Sequence, residues 1–349
     1  MPRKSASSGL LEERLRNQKL AGSECRTAES VVAHLGAVQS QDYTGAVWAV
    51  GMRAPGLVDA DVEASFTGGR ILRTHILRPT WHFVVPADIR WMLGLTGPLV
   101  QARMRAYDKA LGLETRTYTR ARVLIERTLE GGRHLTREEL SGALRRGRIE
   151  ATGQRLAHLM MHAELEGSIC SGPRRGKQFT YALLAERAPR ARTLPREEAL
   201  AGLARRYFTS HGPATLRDFV WWSGLRVRDA ALGVALGKVD ILPSAPERCQ
   251  APGADYLLPN YDEYLIAYRD RAAVVDADRT RNLGFASGYP HQVVLDGRVA
   301  GGWRRQMTDG SVTVVAKPYK PLDKRQLRAL AGQAEACGRF FGRPCRLEV

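Results

Sequence analysis

A helix-rich α+β fold is what this 349-residue sequence predicts, and three observations predict it. Apolar residues recur at helical spacing through most of the first 240 positions. Those helical runs end repeatedly in short strand patterns joined by Gly/Pro turns. Beyond Asp255 strands take over, and one long helical pattern closes the chain. The length suits two to four compact units, and a hydrophobic content of 44% is ample for their cores.

Taken in order, residues 1–14 begin basic and small (Met1-Pro2-Arg3-Lys4-Ser5-Ala6-Ser7-Ser8) with no apolar run, so a disordered arm is expected rather than a signal peptide. Residues 15–117 carry helices near 27–37, 43–52 and 59–66. Two strands follow, Ile71–Ile76 and Thr80–Val85, around the turn Leu77-Arg78-Pro79. In residues 118–193 a helix over 119–130 ends at Gly131-Gly132. Thr136 then N-caps a second helix, with Glu139 three residues on completing a capping box. A third helix over 153–166 places Leu156, Leu159, Met160 and Ala163 on one face. Ser168 to Ala182 reads as strand, basic turn, strand.

Three helices followed by a hairpin is the element order of a winged helix. The order returns in residues 194–254: a helix over 196–210, Thr215 capping a second over 216–223, a third over 226–236, and a strand at Val239–Leu242. Residues 255–349 form the β-rich lobe. It begins with strand 256–258, the polar aromatic turn Pro259–Tyr264 and a Gly-rich loop near 279–290. A hairpin over 291–300 with an Asp296-Gly297 turn, strand 312–316, helix 323–341 and strand 345–347 complete it. The expected architecture is therefore three tandem winged-helix units plus a small C-terminal β-rich lobe closed by a helix.

Composition narrows the function. The formal net charge is +17, with 53 basic against 36 acidic residues, and a GC-rich genome would enrich arginine without leaving acids so outnumbered. Such a field favours polyanions, and nucleic acid above others. No stretch approaches 18 consecutive apolar residues, so no membrane span is expected. Cys25, Cys170, Cys249, Cys337 and Cys345 are scattered without a C-x-x-C pair, which fits reduced cytoplasmic thiols and no zinc site.

The chemistry-bearing stretch is Gln39-Ser40-Gln41-Asp42, just past the amphipathic run Ser30–Ala37. A glutamine amide cannot serve as a true base, but it accepts through oxygen and donates through nitrogen, so a pair can fix a water beside an electrophile. Polar residues also simply collect where helices end, and the four residues alone leave both readings open. His158 and His162 are four apart but lack the glutamate of a zinc helix motif. His75 and His82 flank the first hairpin, with no partner carboxylate motif nearby. Trp221-Trp222 reads as core of the third unit. No G-x-S-x-G, Walker or dinucleotide fingerprint is present.

Basic clusters stand at Arg145-Arg146-Gly147-Arg148, at Arg174, Arg175 and Lys177 on the second unit's turn, and at Arg279, Arg281, Arg304 and Arg305. Cations at a wing tip are placed to meet phosphates, which makes Arg174, Arg175, Lys177, Arg279 and Arg281 the DNA-binding candidates.

Four segments together resemble a known family: Leu35–Asp42, Leu72–Phe83, Arg206–Leu225 and Leu257–Tyr264. The chain looks like the AlkZ-like bacterial DNA glycosylases over nearly everything from Leu15 onward. The resemblance implies a monofunctional, cofactor-free and monomeric enzyme acting on alkylated guanine in duplex DNA. Its substrates would include bulky adducts and crosslinks left by DNA-alkylating natural products, so a self-resistance role is expected. The family's catalytic pattern of glutamine, aliphatic residue, glutamine maps onto Gln39, Ser40 and Gln41, with serine departing at the middle position. The rival reading is a non-catalytic winged-helix regulator, for which the glutamine pair would be incidental; no RNA-binding module signature is present.

Overall fold

The structure is a computed structural model, and it describes residues 9–244, 246, 249–276 and 288–349. Among these the chain begins α1 (Leu10–Asn17), α2 (Ala28–Leu35), β1 (Val38–Gln39), α3 (Tyr43–Met52) and α4 (Asp59–Thr67). Strands β2 (Leu72–His75) and β3 (Trp81–Val84) lead to α5 (Pro86–Ala110) and α6 (Thr115–Leu129). Next come β4 (Leu135–Thr136), α7 (Arg137–Arg146), α8 (Gly153–Leu165), β5 (Ile169–Ser171), β6 (Thr180–Leu183) and α9 (Leu184–Arg187). Helices α10 (Arg196–His211), α11 (Leu216–Ser223) and α12 (Val227–Gly237) precede β7 (Tyr256–Leu258) and α13 (Glu263–Ile266). The chain closes with β8 (His291–Leu295), β9 (Arg298–Met307), β10 (Val312–Pro318), α14 (Lys324–Phe340) and β11 (Cys345–Glu348). No described helix is long and apolar enough to cross a membrane.

Two compact units divide the chain, and neither is contiguous. One gathers the residues up to Glu63, then Arg205–Trp222 and Val239–Val349; the other holds Ala64–Ala204 and Ser223–Lys238. The sequential domains expected above do not correspond to these units, because the chain leaves the first unit and re-enters it twice.

The first unit is built on a five-stranded sheet in the order β11-β10-β9-β8-β7, antiparallel except where β10 runs beside β11. Asp296 and Gly297 join β8 to β9 with φ of 48° and 77°, the paired positive values that a two-residue hairpin turn requires. Helix α14 covers α3 so closely that a Cβ at Gly51 would collide with the Phe340 ring. The disordered arm expected over residues 1–14 is corrected only at its end, where α1 begins at Leu10 and buries Leu10, Leu11 and Leu15 in a core with Leu258, Tyr264, Val294 and Val299; residues 1–8 lie outside the described residues. Leucines at that spacing make one apolar helix face, and burying it outweighs the ordering cost. The strand expected at Val239–Leu242 reduces to one bridge between Leu242 and Thr215. Pro243 follows and has no N–H with which to extend it.

The second unit contains the β2–β3 hairpin and the run α6-β4-α7-α8-β5-β6, whose strands form a sheet in the order β4-β6-β5. Tyr118, Ile125, Leu140, Leu144, Leu156, Leu159 and Met160 make its core. The capping box stands as expected: Glu139 N–H donates to Thr136 Oγ1, and the Glu139 carboxylate receives Thr136 N–H at 2.7 Å.

Candidate active site

Five residues separate two fixed points in the first unit. Gly36, at φ 83°, ends α2 and turns the chain into β1; Asp42 then N-caps α3, its Oδ1 accepting Gly45 N–H at 3.1 Å. Between them run Gln39, Ser40 and Gln41. Gln39 is 7% exposed, Ser40 is fully buried and Gln41 is exposed. Serine therefore faces inward at the position where an aliphatic residue was expected. A side chain at Gly45 would lie 2.6 Å from Asp42 Oδ2 and 3.3 Å from Pro259 Cβ, so glycine lets the segment after β7 approach this corner.

That segment, Pro259–Glu263, carries two buried carboxylates, one of which reaches the backbone of Gln39. Glu263 Oε1 accepts the Gln39 backbone N–H at 3.0 Å, while its Oε2 accepts Trp222 Nε1–H at 3.0 Å and lies 3.5 Å from His211 Nε2. His211 stacks on Tyr207 at 5.0 Å and meets Ser210 Oγ through Nδ1 at 2.7 Å. Asp262 receives both Nη groups of Arg53 at 2.8 Å, with both side chains out of solvent. Burial acts to lower the Arg53 pKa, but Asp262 outweighs it and holds the guanidinium above its ordinary value. Tyr261 takes φ 63°, a left-handed conformation that a bulky residue adopts only when its surroundings impose it.

His291 completes the surroundings. Its Nδ1 accepts Asn260 N–H at 2.9 Å, and its ring lies 4.6 Å from Trp303. Burial first, then Arg305, push the imidazole down to about 4, against the opposing pull of Asp42. Burial also raises the Tyr261 phenol, with Asp42 adding to it. One half-buried carboxylate, Asp42, thus acts on both groups beside the glutamines. The site offers one buried and one exposed amide with a carboxylate next in sequence, an arrangement that can orient a water rather than protonate a leaving group.

The other candidates fall elsewhere. Arg174 is half-buried with its guanidinium 5.4 Å from the Phe179 ring centre, and Lys177 is exposed. Arg175 is exposed but bonded at 2.8 Å to Glu139 Oε1 and at 2.8 Å to His134 O. The structure brings these three together on the β5–β6 hairpin. Arg279 and Arg281 lie outside the described residues. Arg304 is exposed on β9 above Tyr289, and Arg305 lies over Phe341 at 4.6 Å.

The four histidines singled out in the sequence each meet a neighbour, His82 through Nδ1 to Thr80 O at 2.9 Å. His75 has the partner carboxylate its sequence neighbourhood lacked, since Nδ1 bonds Glu164, which also receives Trp81 Nε1–H at 3.3 Å. His158 bonds Asp108 at 2.7 Å, and His162 stacks on Tyr118 at 4.0 Å. Among the described residues no three His, Cys, Asp or Glu side chains cluster as a metal site. Trp222 is core as expected, whereas Trp221 is 38% exposed beside Arg269 and Arg271.

Sequence reasoning missed Arg53, His211, Asp262, Glu263 and His291 as parts of this site. One signal was present: Asp262-Glu263 is an acidic pair set between the apolar Leu257-Leu258 and Leu265-Ile266, and buried acids demand partners.

Comparison with known proteins gives the family and the fold. Residues 32–340 match the AlkZ-like family, described as DNA glycosylase AlkZ-like. The chain is 25% identical to an interstrand DNA cross-link repair glycosylase of Streptomyces sahachiroi, over 94% of this chain and 95% of that protein. Its fold is similar to that of the S. sahachiroi DNA glycosylase AlkZ, with a TM-score of 0.77 at 22% identity, covering 97% of this chain and 98% of the other.

Proposed function

Since the chain belongs to the AlkZ-like DNA glycosylases, which hydrolyse N-glycosyl bonds, we propose that its substrate is N7-alkylguanine in duplex DNA and that Gln39 and Gln41 hold the attacking water. The carrying observation is the glutamine pair itself, held between the Gln39 amide contact and the Asp42 cap, with one amide exposed. Guanine alkylated at N7 is cationic and departs as a neutral base, so the reaction needs no strong acid. What remains is to place water against an oxocarbenium-like C1′ and to supply negative potential there. Neutral amides do the first and Asp42 offers the second. Unmodified bases, which leave poorly, should resist.

The relative named for interstrand cross-link repair supports extending the substrate range to crosslinks; bulky adducts and a self-resistance role are part of the same proposal. The run α6 to β6 is read as a winged helix, and the α2–β3 and α10–α12 runs as its counterparts, each offering basic side chains to the duplex backbone. A bulky adduct does not swing easily into a tight pocket, so excision with little base flipping is expected.

Single-turnover base release from duplexes bearing N7-methylguanine, a bulky N7 adduct or an N7 crosslink tests the reading. Gln41→Ala and Gln39→Ala should each lose roughly 10²-fold or more in rate while DNA affinity stays within about tenfold. Near-wild-type rates in both variants would sink the water-holding assignment. Release of N7-methylguanine alone would remove the bulky-adduct extension.

A further inference from the structure

The amide of Gln39 is satisfied in an unusual way. A strand N–H ordinarily meets a backbone carbonyl across the ladder, yet this one donates to the Glu263 carboxylate, 224 residues away, at 3.0 Å. Glu263 is 1% exposed, and a buried carboxylate is costly unless every lone pair finds a partner. Its second oxygen is accordingly held by Trp222 Nε1–H at 3.0 Å, with His211 Nε2 3.5 Å away. The carboxylate is thus locked from behind and presents a fixed, charge-assisted acceptor to one point of the backbone. Three residues on, Asp42 fixes the chain again through Gly45 N–H. A segment this short, tied at both ends by carboxylates, has little freedom left to misplace its side chains.

We infer that Glu263 is a positioning residue for the reaction, acting through the backbone of Gln39 to hold that amide in register with the attacking water. This rests on the assignment of Gln39 to water holding. A displacement of about 1 Å in such a group costs on the order of 10²-fold in rate, so a single hydrogen bond behind the site carries a measurable share of the turnover. Nothing about DNA affinity depends on it, because Glu263 itself is out of solvent.

Glu263→Gln tests this. A carboxamide keeps the shape but presents one oxygen and one NH2 group, so either Gln39 N–H or Trp222 Nε1–H meets a donor. Single-turnover excision by E263Q should fall about tenfold or more with DNA affinity within about threefold. In a Gln39→Ala background the same change should alter the rate less than about threefold, the non-additivity expected of residues that act as one unit. If E263Q does not fold, Glu263→Asp, with both acceptor oxygens on a shorter arm, should show the same dependence on background. Equal losses in both backgrounds, or a wild-type rate in E263Q, would each overturn the inference. A slow Q39A beside a fully active E263Q breaks only the Glu263 role, whereas near-wild-type rates in both Q39A and Q41A break the water-holding assignment itself.

Discussion

Glu263 in one unit and Glu139 in the other do the same mechanical task in opposite surroundings. Each accepts a backbone N–H at the end of a short strand, Gln39 at 3.0 Å and Thr136 at 2.7 Å. Each also meets a basic side chain, His211 for Glu263 and Arg175 for Glu139. Glu139 lies open to solvent, where the bond from the Thr136 backbone, then Arg175, hold it down to about 2. Glu263, like Asp262 beside it, is sealed. Water can replace a lost partner of Glu139 but not of Glu263, so the exposed arrangement yields gradually and the buried one fails as a whole.

Breaking the sealed side should have the largest effect. Asp262→Ala leaves the Arg53 guanidinium buried and unpaired, and unfolding free energy in urea should drop by about 3–5 kcal/mol. The double change Arg53→Met with Asp262→Leu should recover most of that loss. A double variant as unstable as the single would show that the pair is needed for shape rather than charge balance.

Acid sharpens the comparison next. His291 has a folded pKa of about 4, below its ordinary 6.5, so the unfolded chain binds its proton first as pH falls. Its contribution to stability is complete above pH 6.5 and drains away toward pH 4. His82, pushed well below its ordinary value by burial and then by Arg78, adds the same sign. His291→Asn keeps an acceptor for Asn260 N–H but cannot titrate. Its stability should therefore fall less than wild type across that window, by on the order of 1–3 kcal/mol. Parallel pH profiles would refute the role of His291.

On the open side the effects should be smaller. Replacing Arg174, Arg175 and Lys177 together should weaken damaged and intact duplex alike, by about tenfold. The salt dependence should flatten by roughly 0.9 per lost phosphate contact. A selective loss on damaged DNA would mean that the β5–β6 hairpin reads the lesion. Arg175→Ala alone should cost less than about 1 kcal/mol of stability, as exposed pairs do.

The same contrast explains what could be read from the sequence. The Thr136–Glu139 capping box and the Asp296-Gly297 turn were legible because all their partners lie within a few residues. Gln39 and Gln41 were legible as a motif, but their supports were not. Helix α5 covers residues to which the sequence reading gave no element, and it carries Gly94, Gly97 and Pro98, residues disfavoured in a helix interior. Within it Gly97 lets the α8 end approach, with a would-be Cβ only 2.8 Å from Leu165 O, and the Thr96 hydroxyl lies within bonding distance of the Met92 and Ile76 carbonyls. The tie of Arg175 to Glu139 was equally invisible, since a cation at a turn looks the same paired or free. Local rules are written in adjacent residues; burial is not.

The bond between Gln39 and Glu263 also sets a clock. During synthesis the ribosome adds roughly 5–20 residues each second, and 224 residues separate donor from acceptor. Gln39 therefore waits on the order of tens of seconds before the carboxylate that will hold it exists, while the residues from Ala64 to Ala204 emerge and can assemble around their own core. A nascent or truncated chain ending before Glu263 carries both glutamines without the partner that fixes the first of them. The geometry at Gln39 is thus completed only after the whole of residues 64–204 has emerged.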